Sequence, residues 1–318
     1  MIAVLGLGSI GLRHAGNALA LGQQVIGFDP LPERRDLLAA KGGRVTHDRD
    51  AAIQAARAVV IASPSERHLD DLTACIQAQR PVMVEKPLAH GNHGLSQMLD
   101  QADANGLAVM VAMMLRLNPV TLRARAILAD HLLGQVLWGR FIAALYLPDW
   151  RPGQDWTQGY ANDPRTGGAL FDYIHEIDLA AHLLGPARVL ACVAGHSHSI
   201  GMEAEDMADV VLGHAGHVHS SIHVDYVTRP RQRFGEIAGT KGLLRLDLDN
   251  RRLEWRDTDG QIIEDTHFPG AYADDYLTEM AAFLAAIDGT APPPCSGRDA
   301  LAVLDCLISA RTQAGLPA

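Results

Sequence analysis

The sequence has few cysteines and no cysteine motif. Its four cysteines, Cys75, Cys192, Cys295 and Cys306, are scattered without a C-x-x-C pair, which argues against a zinc site or a dithiol redox centre. A chain of 318 residues is also long enough to fold without disulfide staples. We therefore expect reduced thiols and a cytoplasmic protein.

Long hydrophobic runs and an excess of basic charge are also missing. No window approaches the roughly 18 apolar residues that cross a membrane, and no basic segment precedes the first apolar run. The chain has 27 Lys and Arg against 37 Asp and Glu, a formal net charge of -10, which would repel a phosphate backbone. We expect neither a membrane nor a nucleic-acid partner, and the remaining candidate is a small molecule.

The composition is that of a folded protein with more than one core. Hydrophobic residues make up 48% of the chain and charged residues 20%, which is typical of globular proteins. A chain of this length exceeds what one core usually supports, so two domains are expected. We predict a first domain over residues 1–115 and a second over residues 116–318.

Short apolar strands alternate with helical patterns along the first domain. The helical patterns run to residue 21 and over 33–41, 66–79 and 92–105. Between them lie the predicted strands Ile2–Leu5, Val25–Phe28, Ala58–Ala62, Val82–Val84 and Leu107–Val111. Strands spaced by helices of this length form a parallel sheet through right-handed crossovers. The pattern therefore predicts a doubly wound α/β domain.

The first strand ends in a glycine motif, G-L-G-S-I-G, that opens the following helix. In a dinucleotide-binding turn the first glycine permits the tight turn, the second lets the backbone approach a pyrophosphate, and the third allows close helix packing. The N–H groups at the helix N-terminus then face the anion. The alternative is a glycine turn without a ligand. The motif predicts a Rossmann domain whose cofactor contacts are Gly6, Gly8, Ser9, Ile10 and Gly11.

Asp29 ends the second strand and bears on the choice of cofactor. It lies 18 residues beyond Gly11, close to the spacing of about 20 typical of a ribose-binding carboxylate. Such a carboxylate accepts hydrogen bonds from a ribose 2'-hydroxyl and repels a 2'-phosphate, so NAD is favoured over NADP. Arg34 and Arg35 follow Asp29 in the sequence. They could bind a 2'-phosphate if the cofactor were NADP, or they could be solvent-exposed charges on a helix.

Three further segments carry a family resemblance. They are the Ser63-Pro64 turn with His68 downstream, the tripeptide Glu85-Lys86-Pro87, and the segment G-G-A-L-F-D-Y-I-H-E-I-D at residues 167–178. Together with the glycine motif they resemble the glucose-fructose oxidoreductase, inositol dehydrogenase and MocA family over nearly the whole chain. The resemblance implies a hydride transfer between a nicotinamide and a secondary alcohol of a sugar, sugar acid or cyclic polyol.

Oxidation of such an alcohol requires a base for the hydroxyl proton and a cation near the developing alkoxide. Lys86 follows a parallel strand, where ligands bind in such sheets, and His175 titrates near neutrality. The resemblance assigns Lys86 to the reacting oxygen, His175 to the proton and Asp172 to the support of both. It implies further cofactor contacts from Ser63, Pro64, His68, Glu85 and Lys86. The alternatives are a surface lysine and a core histidine.

Asp172 and His175 lie in an apolar run, residues 168–184, that we predict to be one helix. Residues three apart share a helix face, so both side chains are expected on the same face. Many members of the family place the histidine four residues after the aspartate, and this chain is one residue shorter between them.

The second half of the chain loses the regular alternation. A helix over residues 119–133 precedes strand patterns, and two helical patterns follow over 274–287 and 298–313. The strand patterns cover residues 136–147, 188–194, 209–214, 217–226, 234–238 and 243–248. Hairpin-like turns join several of them. We predict an open, mostly antiparallel sheet with helices, an α+β substrate domain.

A long polar and aromatic loop, residues 148–166, precedes the predicted helix of Asp172 and His175. Long loops in compact domains are often functional, and arginine forks bind carboxylates. We expect substrate contacts from Arg116, Trp150, Arg151, Trp156 and Arg165. The alternatives are a surface or subunit-contact loop, with the arginines paired to Asp149, Asp155 or Asp163.

The residues His217, His219, Ser221, His223 and Asp225 alternate with Val218, Ser220, Ile222 and Val224, so the histidines share one face of a strand. A metal site there would need converging partners, and we predict no metal. The preferred interpretation is a polar sheet face or a subunit interface, which favours a homodimer or homotetramer.

Two other functions share these motifs. A non-catalytic NAD-binding sensor or co-regulator would not need both Lys86 and His175. An enzyme that retains NAD for a redox-neutral hydrolysis or epimerisation of a sugar would need both, and the sequence does not separate it from a dehydrogenase.

Overall fold

The computed structural model describes residues 1–150, 153 and 155–317. The strands among these residues are β1 Ile2–Leu5, β2 Val25–Phe28, β3 Arg44–Thr46, β4 Ala58–Ile61, β5 Val82–Val84, β6 Val109–Val111, β7 Val136–Tyr146, β8 Arg188–Gly195, β9 Met207–Gly213, β10 His219–Asp225, β11 Val227–Gly239, β12 Gly242–Asp247, β13 Arg252–Arg256 and β14 Ile262–His267. The helices are α1 Ser9–Ala20, α2 Pro32–Ala39, α3 Arg49–Ala55, α4 His68–Gln77, α5 Leu95–Ala104, α6 Pro119–Ala129, α7 Leu147–Trp150, α8 Ala169–Asp172, α9 Ile174–Leu184, α10 Tyr272–Ile287 and α11 Gly297–Gln313.

The chain divides into two compact units. Unit 1 comprises Met1–Met114 and Ala271–Leu304, and unit 2 comprises Leu115–Gly270 and Asp305–Ala318. The chain therefore returns to unit 1 after completing the second sheet.

Unit 1 contains a six-stranded sheet in the order β3-β2-β1-β4-β5-β6, with every pair parallel. β1 and β4 are wholly buried runs of apolar residues, as expected for strands covered on both faces. On one side, α1 and α10 share a hydrophobic core that includes Ala15, Met280 and Phe283. The predicted parallel, doubly wound sheet is confirmed.

Unit 2 contains an eight-stranded sheet in the order β14-β13-β12-β11-β7-β10-β9-β8. Only the β7–β10 pair is parallel, which confirms a mostly antiparallel sheet. β10 shows how the faces differ, because Ser220, Ile222 and Val224 are buried while the residues between them are exposed or half-buried. Helices α6, α8 and α9 contact this sheet.

Several elements differ from the sequence predictions. The sequence did not indicate β3, β13, β14 or the seven-residue α3. The three strands are mostly exposed or half-buried and carry charged residues, so they lack the apolar runs of the predicted strands. The predicted helix over 168–184 is broken at Tyr173 (φ -90°, ψ 31°) into α8 and α9, so the prediction of one continuous helix is wrong and helix spacing no longer places Asp172 and His175 on one face. His217 ends a short 3-10 turn with φ 64°, so it is not part of β10.

No helix in the described part of the chain is long and apolar enough to cross a membrane. All four cysteines are free thiols.

Candidate active site

The glycine loop of unit 1 has the shape that a dinucleotide requires. A Cβ atom on Gly6 would overlap the carbonyl of Ala62, and one on Gly11 would overlap the carbonyl of Gly6, whereas one on Gly8 would meet nothing within 4 Å. Gly6 and Gly11 are therefore needed for packing, and Gly8 borders open space. Ser9 and Ile10 begin α1 beside this space, where the first N–H groups of a helix have no carbonyl partner within the helix.

Asp29 closes the glycine loop from the end of β2. The backbone N–H of Leu7 donates to Oδ2 at 2.7 Å, and that of Leu31 donates to Oδ1 at 2.9 Å. Arg35 donates to the carbonyl oxygens of Asp29 and Pro30, while Arg34 lies exposed on α2. Each carboxylate oxygen keeps a second lone pair for a ribose hydroxyl, so the residues present fit NAD.

His68 connects two of the predicted cofactor segments. Its Nε2 lies 2.8 Å from the carbonyl oxygen of Ser63, and its Nδ1 lies 2.8 Å from that of Pro87. The Ser63 hydroxyl donates to Asp71 at 2.7 Å, and Pro64 is exposed. The buried imidazole thus ties the turn after β4 to the turn after β5.

Glu85 is the buried acid of the E-K-P turn. Its Oε1 lies 2.6 Å from Nε2 of His14 on α1, and its Oε2 accepts the backbone N–H of Lys86 at 3.1 Å. Burial acts to raise the pKa of Glu85, but the hydrogen bond and charge of His14 outweigh it and hold that pKa below its ordinary value. Lys86 is half-buried at the carboxyl edge of the sheet.

Asp172 of unit 2 is held by two tyrosines. The Tyr160 hydroxyl donates to Oδ1 at 2.9 Å, and the Tyr226 hydroxyl donates to Oδ2 at 2.7 Å. Tyr226 is fully buried, and burial, followed by the charge of Asp172, raises its pKa well above the ordinary value. A tyrosine in this setting remains a hydrogen-bond donor.

His175 lies buried in the first turn of α9, and two residues that follow it, Glu176 and Asp178, form ion pairs. Arg233 binds Glu176 through Nε and Nη2, at 2.8 and 3.2 Å. Arg116 binds Asp178 through Nε and Nη2, with contacts of 2.6 to 3.0 Å. Two-point arginine–carboxylate pairs fix orientation as well as position, so they hold this turn of α9 to β11 and to the 3-10 turn before α6. Arg116, predicted to contact substrate, thus has a carboxylate partner within the protein.

The start of α8 rests on a buried acid. Gly168 has φ 88°, and a Cβ there would overlap the carboxylate of Glu205. Glu205 accepts the N–H of Leu170 at 3.2 Å and lies 3.7 Å from Nη1 of Arg311. Burial raises the pKa of Glu205 to about 7, although the charge of Arg311 acts to lower it.

The loop after β7 places two of its predicted substrate residues together. Trp150 and Trp156 line a cavity of about 60 Å³ with Tyr160, whose hydroxyl reaches Asp172. Arg165 is exposed and pairs with Asp163 at 2.9 Å. Arg151 lies outside the described residues.

The histidine face of β10 holds one charged cluster. His223 lies 2.9 Å from Asp209 and 3.0 Å from Asp225. The hydrogen bond to Asp225 raises the pKa of His223 to about 9, more than burial lowers it. Within residues 1–150, 153 and 155–317, no three His, Cys, Asp or Glu side chains come together as a metal-binding group.

Sequence reasoning did not identify His14, Tyr226 or Glu205. His14 lies three residues after the last glycine of the motif. This short distance from the glycine loop was the one local signal that could have identified it. Tyr226 and Glu205 had none, because their partners are brought to them by the sheet.

Comparison with known proteins gives matches over most of the chain. Residues 1–113 match the family model described as an oxidoreductase family with an NAD-binding Rossmann fold, and residues 121–245 match the GFO/IDH/MocA C-terminal domain. Inositol 2-dehydrogenase of Rhizobium meliloti (strain 1021) is 27% identical over 328 residues, which cover 95% of this chain and 92% of that protein. A 1,5-anhydro-D-fructose reductase of Ensifer adhaerens is 27% identical over 254 residues, covering 76% and 72%.

Solved structures share the fold. An oxidoreductase from Agrobacterium radiobacter, in complex with NAD+, L-tartaric acid and magnesium, has a TM-score of 0.86 at 22% identity, covering 99% of this chain and 96% of that one. A levoglucosan dehydrogenase in complex with NADH and levoglucosan has a TM-score of 0.88 at 18% identity, with the same coverage. By its two family matches and the predicted motifs, this chain belongs to the GFO/IDH/MocA family of NAD-binding oxidoreductases.

Proposed function

We propose that this protein is an NAD-dependent dehydrogenase or reductase that acts on a secondary alcohol of a sugar, sugar acid or cyclic polyol. One observation carries the proposal: the chain has a lysine at the end of β5, in the unit with the dinucleotide loop, and a buried histidine at the start of α9. A sensor that only binds NAD has no use for this acid–base set.

In this proposal Lys86 and His175 act on one substrate hydroxyl. The Lys86 ammonium hydrogen-bonds the reacting oxygen and favours the developing alkoxide. His175 accepts the hydroxyl proton in oxidation and returns it in reduction. Asp172, held by Tyr160 and Tyr226, supplies a fixed negative charge that supports the protonated imidazole.

The cofactor part of the proposal rests on the glycine loop and Asp29. NAD, when bound, accepts or supplies the hydride at the carbon that carries the hydroxyl. The N–H groups at the start of α1 would hold the pyrophosphate, and Asp29 would hold the adenosine ribose. Arg34, exposed on α2, is the residue that would accept a 2'-phosphate if NADP bound.

For the substrate we propose a highly hydroxylated or acidic ring. Trp150 and Trp156 line one cavity, and indole faces suit the apolar side of a sugar. Arg165, an exposed residue that pairs with Asp163, and Arg151 would orient a carboxylate. Relatives named for inositol and 1,5-anhydrofructose support this class of ring.

The test is a screen for NADH formation at 340 nm. The purified protein is offered myo-inositol, levoglucosan, D-glucose and D-glucuronate with NAD+, and then with NADP+. The proposal predicts NADH in a one-to-one ratio with oxidised sugar, and faster reaction with NAD+. Product without net NADH would favour the redox-neutral enzyme. NAD binding with no turnover of any sugar class would favour the sensor.

We also propose that the protein is a cytoplasmic homo-oligomer joined through the open face of the unit 2 sheet. That face exposes Trp138 and Val211 and carries a cross-strand row in which Arg140 faces Glu236 and Glu236 faces Arg245. A row of alternating charges is complementary to a second copy turned about a two-fold axis. Light scattering should give a mass of at least twice 34.2 kDa, and a monomer would contradict the assembly.

A further inference from the structure

His14 makes a contact that the proposed mechanism does not use. It lies on α1, one turn beyond the glycine loop, and its side chain is fully buried. Its Nε2 meets Oε1 of Glu85 at 2.6 Å. Because a carboxylate can only accept, His14 is the donor. One short hydrogen bond therefore joins the helix of the dinucleotide loop to the E-K-P turn.

Glu85 contacts both His14 and the backbone of Lys86. With Oε1 on His14, its second oxygen accepts the backbone N–H of Lys86 at 3.1 Å. The carboxylate is thereby held at two points, one on α1 and one on the backbone of the lysine itself. If the first were removed, a buried carboxylate would lose a hydrogen-bond donor, a change that usually forces local rearrangement or proton uptake.

The surroundings leave Glu85 as the charged acid of this cluster. Glu279 on α10 is fully buried, and neither of its carboxylate oxygens has a hydrogen-bond partner among the residues described. Burial, followed by the charges of Glu85 and Asp275, raises the pKa of Glu279 well above its ordinary value, which favours its neutral form. Tyr276 packs edge-on against the His14 ring, with centroids 6.2 Å apart, and limits how the ring can turn.

We propose that His14 is a positioning residue for the reaction, which fixes the Lys86 backbone through Glu85 and so couples the dinucleotide helix to the substrate-binding lysine. This inference rests on the proposed function of Lys86. It predicts that His14 affects turnover without itself contacting cofactor or substrate.

The test compares His14→Phe with His14→Gln. Glutamine can donate an N–H to Glu85 and phenylalanine cannot. We expect His14→Phe to lower kcat by about 10- to 100-fold with KM for the best sugar of the screen changed by less than about threefold, because a charged hydrogen bond is lost. His14→Gln should recover most of the loss. Glu279→Gln, a buried control in the same cluster, should leave kcat unchanged, since neither Glu279 oxygen hydrogen-bonds His14 or Glu85.

A second measurement needs no substrate. Hydrogen exchange of the Lys86 amide, followed by NMR, should be about tenfold or more faster in His14→Phe than in wild type, because the bond to Glu85 Oε2 loosens. The rate should be close to wild type in His14→Gln and Glu279→Gln.

The outcomes separate this inference from the proposed function. Loss of turnover in Lys86→Ala, with unchanged kcat and amide exchange in His14→Phe, would overturn the His14 inference alone. Full turnover in Lys86→Ala would overturn the proposed function and this inference with it. Equal losses of kcat in His14→Phe and His14→Gln would also contradict positioning through a donated hydrogen bond.

Discussion

Tyr226 donates its hydroxyl to the carboxylate of Asp172 over 2.7 Å, from a position with no exposed surface. The two residues are 54 positions apart in sequence, and Tyr226 follows β10 directly. The sheet of unit 2 therefore holds the carboxylate that we assign to the support of His175.

This contact predicts the effect of removing one hydroxyl group. Tyr226→Phe should lower kcat by about tenfold and stability by about 1.5 to 3 kcal/mol, because a buried carboxylate loses a hydrogen bond. Tyr160→Phe, at an exposed residue that binds the other oxygen, should cost less stability. Steady-state kinetics and thermal unfolding measure both. A wild-type kcat and a wild-type melting temperature in Tyr226→Phe would argue against a role of Asp172 in the mechanism.

The glycine loop allows cofactor binding to be separated from folding. Gly8 has φ -66° and open space at its Cβ position, so Gly8→Ala should fold with a stability within about 0.5 kcal/mol of wild type. The methyl group would occupy the side from which a pyrophosphate approaches, and we expect NADH affinity to fall by about tenfold or more.

Gly11→Ala is the matched comparison. Its methyl group would overlap the Gly6 carbonyl, so we expect a lower melting temperature and a loss of at least about 2 kcal/mol. Fluorescence titration with NADH and thermal unfolding report the two effects. Wild-type NADH affinity in Gly8→Ala would mean that the cofactor does not approach this turn.

Glu205 predicts a specific dependence of stability on pH. Its pKa is raised to about 7 in the folded protein from an ordinary value of 4.5. Between these values the folded protein holds a proton that the unfolded chain releases, so stability is fully present below about pH 4.5 and is lost as pH rises toward 7. The loss is on the order of 2 to 3 kcal/mol.

Thermal unfolding at pH 5 and pH 8 tests this dependence. Glu205→Gln should lose less stability than wild type between the two values, because glutamine does not titrate. Glu203→Gln, at an exposed neighbour, should follow the wild-type curve. Parallel curves for wild type and Glu205→Gln would show that Glu205 is already ionised in the folded protein at pH 5.

The sequence predicted those parts of the molecule whose signals are local. In unit 1, apolar strands alternate with helices at short, regular intervals, and the glycine motif directly follows the first strand. This order along the chain was enough to predict the parallel sheet. The Glu85–His14 contact spans 71 residues, so no window along the chain contains it. Likewise the helix breaks at Tyr173 although the apolar pattern continues on both sides. The position of this break depends on packing against the sheet, which the local sequence does not show. The amphipathic pattern of α10 shows that one face is buried but not which unit covers it.

If Lys86 and His175 act on the same substrate hydroxyl, single-turnover formation of NADH at 340 nm should slow in both Lys86→Ala and His175→Ala. We expect a loss of about 100-fold or more in each variant with NADH affinity, measured in parallel, nearly unchanged, as for removal of an acid–base group. A near wild-type rate in His175→Ala would show instead that His175 is a core histidine beside two ion pairs.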